Sequence, residues 1–227
     1  MTRQRLARIL LGACAGWLAL AGAAHAQTLY QVEVIVFSRD SADAENEENW
    51  DTPRTLRYPE RIVALQAADS SNAPLQQLPA DALQLNREAT VIAQRRSWRL
   101  LAHTGWRQTV EEPGRATAVF ISGGRQYGTH HELEGSITLS VDHFLRADAN
   151  LWLARFSSAA SQPIALPDPP FAVDSAAVSA PAQSTATQVV QLQDQRRMRS
   201  GELHYFDNPR LGLLVLATPV AAQTAAQ

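Results

Sequence analysis

The arrangement of apolar and polar positions divides the chain into strands, one helical segment and loops. Tyr30–Phe37 (YQVEVIVF) places Val32, Val34 and Val36 on one face of a strand and Ile35 and Phe37 on the other. Branched residues crowd both faces, which predicts a central, doubly buried strand. Between Ala82 and Ala102 the period changes. Ala82, Leu85, Ala89, Ile92, Ala93 and Leu100 fall on one helical stripe, with Asp81 as the cap, Gln84 in capping-box position and Gly105 as a left-handed stop. A long helix over 82–102 is therefore predicted, with Arg95, Arg96 and Arg99 near its C-terminus.

Beyond Gly105 the alternation is two-residue. Trp106–Val110, Val119–Ile121, Ile137–Val141 and Leu151–Phe156 read as strands, with a break at Gly123-Gly124 and a hairpin turn at Arg146–Asn150. Val189–Pro219 predicts two or three antiparallel strands turned at Asp207-Asn208-Pro209-Arg210. Leu211, Leu213 and Val215 back Leu214 and Leu216, so the last strand is expected in the interior. Gln66–Pro79 reads as a loop, and Ser157–Gln188, with five prolines and little charge, as a long flexible loop before the C-terminal strands. The expected class is α+β: a mainly antiparallel sheet with one long helix packed on it.

The N-terminus carries a different pattern. Arg3, Arg5 and Arg8 precede an apolar run from Ile9 to Ala24, and Ala24-His25-Ala26 has the form of a cleavage site. Residues 1–26 are expected to be a secretory signal peptide cut between Ala26 and Gln27, leaving 27–227 as a single periplasmic domain. The run is shorter than the roughly 20 residues a spanning helix needs. Cys14, the one cysteine, lies inside it, so the mature domain is expected to have no thiol chemistry.

Composition narrows the chemistry. All 20 basic residues are arginine, which excludes a P-loop lysine, a Schiff-base lysine and a Ser-Lys dyad. A formal charge of −2 lacks the basic excess of a nucleic-acid binder. The acidic stretch Ser38–Asp51 has no central glycine and reads as a solvated loop, not a calcium loop, with Trp50 packing back on the body. No phosphate loop and no nucleophile elbow is present.

His130, Glu132 and Glu134 would share a strand face and suit zinc by donor type, but without helical metal-site spacing they read as a surface polar cluster. No metal and no cofactor is expected. The densest polar group is C-terminal: Arg196, Arg197 and Arg199, then Glu202, His204, Tyr205 and Asp207. Taken alone, these residues favour cross-strand ion pairing on a solvated face. The alternative is a ligand groove in which arginines meet carboxylates and flat aromatic faces meet sugar rings.

Four blocks carry a resemblance. They are YQVEVIVFSR (30–39) with Glu48-Asn49-Trp50, WRLLAHTGWRQ (98–108), LEGSITLSVDHFL (133–145) and RRMRSGELHYFDNPRLGLLVLATP (196–219). In that order they resemble the CsiV family, periplasmic peptidoglycan-binding proteins of Gram-negative bacteria. The resemblance implies a non-catalytic accessory of cell-wall synthesis and cell shape, with peptidoglycan as ligand. It also implies a lipoprotein activator of a bifunctional penicillin-binding synthase as partner. On that reading Arg196, Arg197 and Arg199 would meet carboxylates, Tyr205, Trp106 or Trp50 would meet sugar faces, and His204 is a further candidate ligand-binding residue. The alternatives are an envelope protein–protein interaction module without glycan binding and, more remotely, a metal hydrolase on His130, Glu132 and Glu134.

Overall fold

The computed structural model describes residues 28–39, 55–66, 75–158, 163–171 and 184–221. The expected signal segment, Trp50 and nearly all of the acidic stretch lie outside the described residues. Nine strands are described: β1 (Leu29–Arg39), β2 (Ile62–Val63), β3 (Trp98–Thr109), β4 (Ala118–Tyr127), β5 (His130–Val141), β6 (Leu145–Ser157), β7 (Thr185–Met198), β8 (Leu203–Asp207) and β9 (Leu211–Pro219). One α-helix, α1 (Asn86–Gln94), precedes β3. The strands form a four-stranded sheet in the order β3-β1-β9-β8 and a five-stranded sheet in the order β2-β4-β5-β6-β7.

The two sheets pack face to face. Val32, Val34 and Val36 of β1 and Leu213 and Val215 of β9 share one core with Ile137 and Leu139 of β5 and Ala147, Ala149 and Leu151 of β6. The opposite face of β1 is also covered: Ile35 and Phe37 pack against Leu85, Ala89 and Ile92 of the helical segment. The double burial expected of Tyr30–Phe37 thus has two causes, a facing sheet and an overlying helix.

The expected α+β class with one long helix does not hold. The protein is mostly β, and α1 has nine residues. Leu85, Ala89 and Ile92 keep their helical stripe, but residues 98–102 pair with β1 as the start of β3, with Arg39 opposite Trp98. A helix continued to Ala102 would leave that part of β1 without partners for its buried backbone groups. The sequence allows both readings, because Trp98, Leu100 and Ala102 alternate as well as Leu100 fits the helical spacing.

Gly105 is no helix stop. It sits within β3, where a Cβ would approach Leu83 Cδ2 to 2.7 Å and the Val32 carbonyl to 3.0 Å. Close approach of the 78–85 segment, not a left-handed φ, requires glycine there.

Two further corrections follow. Arg146–Asn150 is not a turn but the first part of β6, with Ala147 and Ala149 buried. The turn lies one step earlier, where Asp142 accepts from the Phe144 N–H and from Arg146. The expected loop 157–188 is in part structured. β7 begins at Thr185, and the Ile164 N–H donates to the Ala186 carbonyl while Ile164 and Leu166 cover Trp152.

Candidate functional site

The three C-terminal arginines do not converge. Arg196 on β7 donates from Nε to Asp194 at 2.8 Å and from Nη1 to the main-chain oxygen of Tyr205 at 2.7 Å, tying an edge of one sheet to the other. Arg197 lies over the Phe144 ring. Arg199 is in the β7–β8 turn, 82% exposed at its side chain and 3.6 Å from Glu202, and its main-chain N–H donates to His204 Nε2 at 3.0 Å. Arg196 therefore meets Tyr205, and Arg199 meets His204, in two separate contacts. Trp106 is wholly buried between the sheets, its indole N–H bonded to Gln108 Oε1 at 2.6 Å, so it has no face to offer a sugar. Its register opposite Val32 of the doubly buried β1, not its chemistry, decides that place.

Tyr205 belongs to a better-organised group. Arg39, at the end of β1, donates to the Tyr205 hydroxyl and to Asp207, and Tyr205 itself donates to Asp207 at 2.8 Å. Burial, then the bond to Asp207, pushes the Tyr205 phenol up to about 12. The Arg39 bond holds Asp207 below the usual carboxylate range. Phe37 continues the group inward, stacked with Tyr205 at 6.4 Å and with Trp98 at 4.9 Å, and Arg95 lies over Trp98. The row leaves Tyr205 exposed at the edge strand.

Arg39 also lines a pocket of about 190 Å³ with Ser38, Arg99, Arg155, Arg210 and Glu132. Of these arginines, Arg39 pairs with Asp207 and Arg99 with Glu132, and Arg155 and Arg210 complete the lining. Glu132 accepts from Arg99 and from the Arg125 N–H at 2.9 Å. Gly124 permits that fold-back, since it has φ +73° and a Cβ there would lie 2.6 Å from Glu132 Oε2. The Gly123-Gly124 break is thus a bulge within β4 at the pocket's rim. In two of the lining residues a buried atom, Ser38 Oγ and Arg39 Nε, has no hydrogen-bond partner among the described residues. A larger cleft of about 440 Å³ lies at the other end of β1, but its lining balances Arg107 against Glu111.

None of Arg39, Arg99, Arg155 and Arg210 is expected as a site residue from the sequence, where Arg99 reads as a helix-end charge and Arg210 as part of a turn. They come from the end of β1, the start of β3, the end of β6 and the residue before β9. Only the sheet topology makes them neighbours. The available signal was Ser38-Arg39 closing a doubly buried strand, which had to bring polar groups to the sandwich rim.

Two buried carboxylates are fully engaged instead. Glu33 accepts from the Gln84 N–H at 2.6 Å, the Leu85 N–H at 2.8 Å and His103 Nε2 at 2.7 Å, so it, not Asp81, caps the helical segment. Glu134 accepts from Tyr58 at 3.0 Å, His130 Nδ1 at 3.1 Å and the His131 N–H at 2.8 Å. Burial, then the charge of Glu134, raises the Tyr58 phenol far above its ordinary value. Burial lowers His131, against the pull of Glu134. Glu132 turns to Arg99 while Glu134 takes His130, so the suggested metal triad is divided between other partners. Among the described residues no group of three His, Cys, Asp or Glu is placed to hold a metal, and no helix is long and apolar enough to cross a membrane.

Comparison with known proteins gives one family. The family model described as "Peptidoglycan-binding protein, CsiV" matches residues 6–220. No curated protein and no solved structure matches.

Proposed function

This chain belongs to the CsiV family of peptidoglycan-binding proteins, and from that premise we propose that it is a non-catalytic periplasmic accessory of cell-wall synthesis. It is exported by residues 1–26 and acts on cell shape together with a lipoprotein activator of a bifunctional penicillin-binding synthase. Peptidoglycan is held at the arginine-lined rim, where Tyr205 presents its exposed ring beside Arg39 and Arg196. Arg197 and Arg199 lie toward the opposite end of the sheets, Arg197 across from Arg146 and Arg199 in the turn beside Tyr30, and are not part of that rim.

The observation that carries this reading is the gathering of Arg39, Arg99, Arg155 and Arg210 around one pocket in a chain of net acidic charge. Peptidoglycan carries free carboxylates on its peptides, and arginine is the side chain best shaped to bind them. A non-catalytic role is supported by the Glu33–His103 and Glu134–His130 pairs. Both carboxylates are buried and occupied by backbone amides, which suits holding structure and not moving protons.

Co-sedimentation with purified sacculi tests the proposal. The protein is expected in the pellet at moderate salt, and its complete retention in the supernatant would contradict peptidoglycan binding. Capture of an envelope partner by a protein that fails to pellet would favour the interaction-module alternative.

A further inference from the structure

We propose that the pocket between Ser38, Arg39, Arg99, Arg155 and Arg210 is a carboxylate-binding subsite that takes a free carboxyl group of a peptidoglycan stem peptide. This rests on the peptidoglycan-binding reading and adds which chemical group of the polymer is recognised, and where.

Three features of the pocket argue for it. The first is unfilled bonding capacity. Ser38 is 1% exposed and its hydroxyl has no partner among the described residues; Arg39 Nε is in the same condition. A buried donor without an acceptor costs about 1–3 kcal/mol, so such groups in native structures call for an explanation. The second is fixation. Arg39 spends Nη2 on Tyr205 and Asp207, and its guanidinium lies over the Phe37 and Tyr205 rings. The fork is thereby immobilised with its Nε edge still unbonded, which lowers the ordering cost of binding. The third is donor chemistry and size. The two unfilled groups, a hydroxyl and a guanidinium N–H, can both donate, which suits an acceptor such as a carboxylate, and about 190 Å³ is below the roughly 300 Å³ at which drug-sized ligand pockets begin. It suits a single carboxylate-bearing residue.

The pocket and the exposed Tyr205 share Arg39, so a peptide carboxylate in the first and a sugar ring on the second would bind one continuous ligand. Glu132 keeps Arg99 in place from the far side of the lining. Its role is to position, not to bind.

The test uses soluble muropeptides released from sacculi by a muramidase, either native or with their carboxyl groups amidated, titrated calorimetrically against the purified protein. Native muropeptides are expected to bind and amidated ones to lose about tenfold or more. Ser38→Ala and Arg155→Gln are each expected to lower affinity for native muropeptides by roughly tenfold. Arg87→Gln, on the exposed side of α1, is expected to leave it unchanged.

Thermal melting separates binding from folding. Removing a hydroxyl with no partner leaves the melting temperature of Ser38→Ala the same or higher, whereas a merely structural serine would lower it. Native sacculi that bind while amidation and Ser38→Ala change nothing would overturn the subsite and spare the peptidoglycan reading. Failure of both sacculi and muropeptides to bind would remove that reading and the subsite with it. Displacement by inorganic phosphate, without any effect of amidation, would assign the pocket to a phosphate and also overturn the proposal.

Discussion

Glu33 and Ser38 lie on the same strand and are buried to the same degree, with Arg39 half-buried beside Ser38, and the two ends differ in how their polar atoms are bonded. Each carboxylate oxygen of Glu33 is engaged, by two backbone amides and an imidazole. At the other end of β1 the Ser38 hydroxyl and Arg39 Nε have no partner among the described residues. Polar burial is therefore not in itself a mark of function. A group whose bonds are complete holds the fold, and one whose bonds are incomplete beside a cavity is set to hold something else. The same contrast separates Glu134, saturated by Tyr58, His130 and His131, from the pocket lined by Arg99 and Arg155.

The contrast breaks most visibly at Glu33. Glu33→Ala strands two buried amides and His103, and is expected to cost about 3 kcal/mol. For a protein of this size that lowers the melting temperature by about 6–12 °C, measurable by circular dichroism. Muropeptide affinity of the fraction still folded should be unchanged. A loss of affinity without loss of stability would put Glu33 on the wrong side of the comparison.

Gly105→Val is next in size. Its side chain would collide with Leu83 and with the Val32 carbonyl, at an expected cost of about 1–3 kcal/mol in urea unfolding. A neutral result would mean that the 78–85 segment yields easily and does not clamp β3.

The smallest effect concerns pH. Burial keeps His131 neutral in the folded protein below its ordinary value of 6.5. The unfolded chain therefore takes up the proton first as pH falls. The stabilisation is complete above 6.5 and is lost as pH drops beneath it. The melting temperature should fall between pH 7.5 and pH 5.5, and His131→Gln should reduce that fall. An unchanged slope in the variant would show that other groups carry the acid sensitivity.

What could be read from the sequence followed from how local the cause was. The double-faced apolar strands β1 and β9 and the turn at Asp207–Arg210 were legible, because their patterns are complete within ten residues. The stripe Leu85, Ala89 and Ile92 was legible as helix, but its end was not. Leu100 fits a helix by spacing, and only the need of β1 for a partner strand assigns it to β3. Arg146–Asn150 misled because alanines alternating with polar residues look like a turn until a facing sheet buries Ala147 and Ala149. The candidate site was legible only at Arg196 and Tyr205. Its remaining arginines are brought together by strand order, which no local motif encodes, and Trp106 looked like a ligand platform only because the pattern does not say which tryptophans face inward.

The most direct test is sedimentation with intact sacculi of the wild-type protein and of a Ser38→Ala/Arg155→Gln double variant, with melting curves recorded on both. The account predicts that the wild type pellets at moderate salt and that the double variant stays largely in the supernatant while its melting curve still shows a cooperatively folded protein. Equal pelleting of the two proteins would contradict it.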